Sequence, residues 1–287
     1  MIIGIGKTIT LLAACTCTVV RGFTPINNQT RSLASGSASA SASASALSES
    51  LLSDSDVWKS FDPSELGVGG TYGLGISAVV PRPIAVITTV SAVESKEEEK
   101  NGDVGHGHGN GNESVVNCAP FSYTGLVSHD PPMVCHGICL SSKGKKDTLV
   151  NIENTKQWVF NVMSMPWVEK ANACAVECDS GTSEIDIAGL HTLPCENIAA
   201  PRVEEAMVSM ECELDSIKEV FNDDGKHTTS IVFGRIVRYH VHTSVLAGDL
   251  DANRPIIDLE KMQFVGRAGG VTYFPAGEGK SLTMKRP

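Results

Sequence analysis

The chain lacks the common catalytic signatures: its 287 residues contain no HExxH, no GxSxG, no CxxC pair and no convincing pair of catalytic carboxylates. Metalloprotease and nucleophile-elbow chemistry therefore have no carrier. Cysteine is sparse. Nine in the whole chain are too few for a disulfide scaffold. Past the leader they are Cys118, Cys135, Cys139, Cys174, Cys178, Cys195 and Cys212, an odd set that cannot pair completely. Basic excess is missing too. A net charge of -10 and a pI near 5.3 give no electrostatic footprint for a nucleic-acid backbone. Outside the first two dozen residues no apolar run is long and clean enough to span a bilayer, so the mature form is expected to have no membrane anchor. What is present is 41% hydrophobic residues against 20% charged, enough for a packed core and too apolar for wholesale disorder. The length allows one domain or two.

Charge is segregated. The first 46 residues hold Lys7, Arg21 and Arg31 and no acid, and Glu49 is the first carboxylate. That stretch carries +3, leaving -13 for the rest of the -10 total, a split that marks a processing segment. Residues 1–22 read as a signal-peptide-like segment: a basic start, the apolar run Ile9–Val20, and small residues near Gly22. Residues 23–56 read as a Ser/Ala-rich transit-like or linker segment. A signal followed by a transit-like stretch opening on Phe23 resembles the bipartite plastid leaders of algae with secondary plastids. The expectation is processing near Leu47 and delivery to a plastid. The alternative is plain secretion, with glycosylation at Asn28 and Asn112. Gly4–Thr8 (GIGKT) is no P-loop, because the required first Gly position holds Met1.

Residues 57–287 read as one β-rich domain, interrupted at 94–113 by a charged and Gly/His/Asn-rich stretch expected to be a disordered loop. His106 and His108 within it make only a weak, entropically costly metal site. Gly73–Ala78 matches GxGxxA, but no strand precedes it and Pro81 and Pro83 forbid the helix that must follow. Strands are expected at 78–80, 84–90, 115–119, 133–140, 158–164, 208–219 and 228–242, from their β-branched content. Helices are few and short: 147–152 with Leu149 and Ile152 on one face, 167–176 behind Pro166, and 184–190. Cys135/Cys139 and Cys174/Cys178 share faces at four-residue spacing. They read first as small buried hydrophobes and second as metal ligands.

The informative signal lies in the connections. Pro81-Arg82-Pro83-Ile84-Ala85 precedes a strand containing Thr88-Thr89. Asn117-Cys118-Ala119-Pro120-Phe121-Ser122-Tyr123 follows, then Ser128-His129-Asp130-Pro131-Pro132. The basic run Lys143-Gly144-Lys145-Lys146 leads directly into the helix start Asp147-Thr148. A cationic loop feeding free N–H groups at a helix N-terminus is an anion site. With Arg82 and the hydroxyls of Ser122 and Thr148, the anion best served is a phosphate.

This series resembles the flavin reductase-like family of FMN-binding split barrels, in its PRPIA…NxAPFSY…DPP…KDTLxNI form. The last motif here is Lys146–Ile152, and Arg267-Ala268-Gly269-Gly270 with Tyr273 is similar to the family's C-terminal element. The likeness runs from about Phe61 to Phe274. The 94–113 insertion departs from it, where the family turns tightly. The resemblance implies a mainly β fold, a six-stranded antiparallel Greek-key split barrel with a few short helices, forming a homodimer with FMN at the interface. Arg82, Ser122, Lys146 and Thr148 would then hold the phosphate. Thr88, Thr89, Asn117, Ala119 and Tyr123 would line the ribityl chain and ring edge, and Arg267 and Gly269 would approach the flavin. The implied activity is an FMN-binding oxidoreductase, an NAD(P)H-dependent flavin reductase with hydride transfer to bound flavin. The alternative is an FMN-binding electron-transfer protein without NAD(P)H turnover of its own. No side chain is assigned as a catalytic acid, base or nucleophile, since the cofactor carries the reaction. His129, near the flavin that the resemblance implies, reads as a loop histidine without chemistry of its own.

Overall fold

Period-two sorting of β-branched and aromatic side chains sends one set of residues inward, and the sheet curls around that set. The structure is a computed structural model and describes residues 58–92, 114–248 and 254–276. The leader, the 94–113 insertion, His106, His108 and both sequons lie outside the described residues, as does nearly all of the first of the two units into which the chain divides, at Ser60/Phe61. The second unit, Phe61–Pro287, carries the fold.

In chain order the elements are helix α1 (Pro63–Ala78), strands β1 (Arg82–Pro83), β2 (Ala85–Val90), β3 (Val116–Phe121), β4 (Thr124–His129) and β5 (Pro132–Cys139), helix α2 (Asp147–Thr155), and strand β6 (Gln157–Val162). Helices α3 (Val168–Ala173) and α4 (Glu184–Ala188) come next, then strands β7 (Thr192–Leu193), β8 (Arg202–Val203), β9 (Val208–Phe221) and β10 (His227–Val241). Strands β11 (Leu246–Ala247) and β12 (Ile256–Ile257), helix α5 (Leu259–Met262), and strands β13 (Val265–Ala268) and β14 (Thr272–Pro275) follow, with single 3-10 turns at Met165–Trp167 and Thr243–Val245.

Seven strands form one antiparallel sheet in the order β3-β2-β6-β9-β10-β5-β4. Its two edges, β3 and β4, are joined in the chain by Ser122-Tyr123 alone, so the sheet must close on itself to bring both edges to one turn. The Gly137 N–H of β5 donates to the Tyr123 carbonyl at 2.7 Å and fixes that corner. The result is a mainly β split barrel. Its seventh strand is β4, whose half-exposed residues carry no alternating pattern to reveal it.

The barrel interior is filled by Phe121, Val134, Ile138, Trp158, Phe160, Cys212, Val232 and Ile236. Helix α2 delivers Leu149 and Ile152 to the same core, on the face their three-residue spacing predicts. Close packing shows most sharply at Gly234 on β10, where a Cβ would lie 2.2 Å from Trp158 Cζ2 and Cη2. A second cluster lies on the other face of the sheet, where Ile84, Val86 and Cys118 meet Trp167, Ala171, Cys174 and Ile185.

Two expectations are corrected here. Ala78 ends a helix and residues 79–80 join no strand. That helix, α1, is 16 residues long, not short, and carries five glycines that argue against it on propensity. Its start is nonetheless well specified. Asp62 caps the Ser64 N–H at 2.8 Å, Pro63 occupies the first turn, and Gly67 absorbs a kink at φ 64°. Gly73–Ala78 is simply its last stretch. Among the described residues no helix is long and apolar enough to cross a membrane.

The interior also holds His136, fully buried between Phe121 and Trp158 at ring-centroid distances of 6.2 and 5.2 Å. Neither ring nitrogen has a hydrogen-bond partner. Burial pulls its pKa from 6.5 down to about 3. Above pH 6.5 neither folded nor unfolded chain binds this proton. As pH falls through 6.5 the unfolded chain gains it while the fold cannot, and stability is lost progressively towards pH 3. Between about pH 7.5 and about pH 5, the wild-type chain is expected to lose about 2 kcal/mol more than His136→Leu. Thermal melts of the two proteins across that range check this; parallel curves would show that the imidazole is not excluded from water.

Candidate functional site

The expected anion site is built by a turn and a helix start. Ser141 and Gly144 exchange backbone hydrogen bonds at 2.9 and 3.1 Å, closing a tight turn in which Gly144 takes φ 108°. The chain then enters α2 through Lys146, whose extended backbone caps the helix with no side-chain acceptor. The first-turn N–H groups of α2 therefore receive no capping side chain and retain their positive end. Around this start opens a cleft of about 410 Å³. Ser141, Ser142, Lys143, Lys146 and Thr148 form one side, Asn117 and Ala119 of β3 the floor, and residues 174–180 with Glu184 the opposite wall.

The cations differ in availability. Lys145 Nζ is held at 2.7 Å from Glu153. Lys143 stands 4.0 Å from Glu177 with both side chains 85% exposed, a pair worth little in water. Lys146 Nζ rests 5.9 Å from the Phe121 ring centroid and has no carboxylate partner among the described contacts. Behind the floor a polar layer fixes the side chains. Asn117 Nδ2 donates to Thr148 Oγ1 at 2.8 Å, and Asn151 Nδ2 donates to Thr89 Oγ1 at 3.0 Å.

The thiol-bearing wall is chemically quiet. Glu184 accepts the Cys118 N–H at 2.9 Å and the Cys178 thiol at 3.4 Å. A hydrogen bond with Cys174, followed by burial, pushes Cys118 well above the usual thiol range. Burial and then the Glu184 charge hold Cys178 up to about 11. These groups stay protonated at neutral pH and offer no nucleophile. All seven body cysteines are free, and of the two spaced pairs Cys174 and Cys178 sit in this wall, while Cys135 and Cys139 lie on β5.

Of the residues proposed from sequence, Asn117, Ala119, Lys146 and Thr148 line this cleft, and Thr89 stands directly behind it. Arg82 requires correction. Its two terminal nitrogens donate to the carbonyls of Ile76 and Val79 at the C-terminus of α1 and to Gly269, while its buried Nε has no partner among the described residues, and none of them reaches the α2 cleft. It lines a separate apolar cleft with Pro81, Leu126, Val134, Phe160 and Tyr239. Arg267 and Gly269 are also placed elsewhere. Arg267 stacks on Tyr273 at 4.5 Å and donates to Gly270, and the Gly269 N–H donates to Ile76. Thr88 turns away, donating to the Pro201 carbonyl at 2.5 Å. Ser122 and Tyr123 form the β3–β4 corner outside the cleft lining, and His129 ends β4 exposed to solvent. Sequence reasoning missed Ser141 and Ser142, although hydroxyls beside a Lys/Gly run were a usable signal. It also missed the 174–180 wall, for which no motif exists.

A family model described as flavin reductase like domain matches residues 77–256. Among solved structures, nitrilotriacetate monooxygenase component B from Bacillus cereus is similar with a TM-score of 0.67 and 26% identity, covering 79% of this chain and 100% of that one. The 2-nitrobenzoate 2-nitroreductase of Pseudomonas fluorescens is similar at 0.62 and 26%, covering 79% and 96%. A split barrel domain chain from Shewanella frigidimarina, at 0.58 and 17% over 80% and 99%, matches in fold alone.

Proposed function

Because the chain belongs to the flavin reductase-like family, we propose that it is an FMN-dependent oxidoreductase that takes hydride from NAD(P)H. The observation that carries this reading is the start of α2, where backbone N–H groups without a capping side chain, the hydroxyls of Ser141, Ser142 and Thr148, and Lys143 and Lys146 lie on one side of a cleft whose lining also includes Asp147 and, on the far wall, Glu177, Asp179 and Glu184. That donor set suits a phosphate dianion, and a cleft of about 410 Å³ is of ligand size. The two relatives at 26% identity are both named for redox reactions, which supports an oxidoreductase.

FMN, when bound, supplies the hydride-accepting ring and passes the electrons on. The protein's own residues bind and orient. Lys146 and the N–H groups at the α2 start would take the phosphate, with Thr148 held in position by Asn117. Asn117 and Ala119, which line the same cleft, would face the ribityl chain. Cys178 in the far wall, held up to about 11 by burial and then the Glu184 charge, stays a thiol and offers a bound flavin no thiolate nucleophile. A second copy of the chain is proposed to cover the apolar cleft beside Leu126, 67% exposed, and Tyr239, 52% exposed; a monomer mass by light scattering would remove that part of the proposal.

Steady-state oxidation of NADH and of NADPH with FMN supplied tests the reaction. Turnover well above the free-flavin background is expected with at least one of them. A chain that binds FMN yet shows no such turnover is an electron-transfer protein, the second reading, and not a reductase.

A further inference from the structure

On the outer face of the barrel, remote from the flavin cleft, lies a carboxylate with no role in that chemistry. Glu211 of β9 is completely buried, although strand alternation points it away from the interior that its neighbour Cys212 occupies. What buries it is the connection between β7 and β8, whose Ile198 and Ala200 pack on Val159 of β6. The carboxylate anchors that loop by accepting the N–H groups of Glu196 and Asn197, both at 2.8 Å. His240 of β10, diagonal to Glu211 across the ladder, brings Nε2 to 2.6 Å from Oε1. Cys195, the second residue of the loop, completes the group. Its Sγ, a ring nitrogen of His240 and a Glu211 carboxylate oxygen lie within 4.8 Å of one another.

We propose that Cys195, Glu211 and His240 form a zinc site that staples the 194–201 loop to β9 and β10. Thiolate, imidazole and carboxylate are the three side-chain donors zinc takes, and two strands of a closed barrel hold two of them rigidly. Cys195 and His240 are each partly exposed, so a water reaches the fourth position of a tetrahedron. Charge balances as well: one divalent ion offsets the thiolate and the buried carboxylate, with the imidazole neutral. On loading, the Cys195 thiol proton leaves to solvent, the proton on Nε2 of His240 is given up so that the neutral ring carries its remaining proton on Nδ1, and sulfur, nitrogen and oxygen each give a lone pair to the metal, with no change of oxidation state. Glu211 retains its two backbone N–H donors and so stays oriented, as supporting hydrogen bonds orient metal-bound carboxylates.

Cobalt reports this site directly. The metal-stripped full chain is titrated with Co²⁺, and a thiolate-to-cobalt charge-transfer band with tetrahedral ligand-field absorption is expected, saturating at one ion per chain and bleached by Zn²⁺. Cys195→Ser should abolish the charge-transfer band, and His240→Gln should weaken Zn²⁺ binding at least roughly tenfold. The double change His106→Ala with His108→Ala should leave the band intact, which separates this site from the histidine-rich insertion. Both site variants should keep their affinity for FMN, since neither residue lines the flavin cleft. Zn²⁺ should raise the melting temperature of the wild-type chain and not that of Cys195→Ser. Absence of a charge-transfer band in the folded wild-type chain, or its persistence in Cys195→Ser, would overturn the proposal.

Discussion

Lys146→Glu is expected to weaken FMN binding by roughly thirty- to a thousandfold, the equivalent of about 2–4 kcal/mol. The substitution removes a charge-assisted contact and sets a negative charge where a dianion must sit. The fold should hardly notice. Lys146 is the N-cap of α2 and makes no side-chain capping bond, and an acid at a helix start is favoured by the dipole. The local loss is its contact with the Phe121 ring at 5.9 Å, worth little at an exposed site. Riboflavin, which lacks the phosphate, should lose far less than FMN. Equal weakening of both ligands at an unchanged melting temperature would show that Lys146 does not face the phosphate.

The largest stability effect is expected one layer deeper. Gly234→Ala puts a methyl 2.2 Å from two atoms of the fully buried Trp158 indole and 3.3 Å from the Glu213 carbonyl. Neither neighbour can yield. The indole is wedged beside His136 and within the barrel core, and the carbonyl belongs to β9, the strand paired with β10. Overpacking of this kind should cost about 3 kcal/mol, a fall of roughly 6–12 °C in melting temperature for a domain of this size. Adding Trp158→Phe should recover part of the loss by vacating the space. A melting temperature within a degree or two of wild type for Gly234→Ala would mean that the barrel is looser at this point.

Strand residues were the legible part of the fold. Ala85–Val90, Trp158–Val162 and the long β9–β10 hairpin announce themselves through β-branched content, because packing against a curled sheet selects those side chains. Helix α1 was hidden for the opposite reason. Five glycines lower its propensity, and its buried contact is carried by Ile76 alone, leaving no apolar stripe to read. Strand β4 was hidden because its pairing with β5 is set by backbone hydrogen bonds and its side chains are mostly half exposed.

The candidate site divides along the same line. Lys146 and Thr148 were legible because a helix start and its preceding cations are contiguous in sequence. Arg82 lies apart from the α2 cleft, which the sequence could not show because charge and motif position say nothing about which carbonyls a side chain will meet. Its partners Ile76 and Gly269 are brought together only by the pairing of β1 with β13. The Cys195–Glu211–His240 group was invisible for the same reason. Its members are spread over three elements, and no spacing rule links a loop thiol to diagonal positions on two strands.

The central claim is that this cleft holds FMN by its phosphate. Equilibrium titration of the flavin-free wild-type chain with FMN and with riboflavin, followed by quenching of flavin fluorescence, tests it most directly. Saturation at one FMN per chain is expected, with riboflavin bound at least roughly tenfold more weakly, as the loss of a charge-assisted contact requires. Riboflavin bound as tightly as FMN, or no quenching by the folded chain, would contradict the claim.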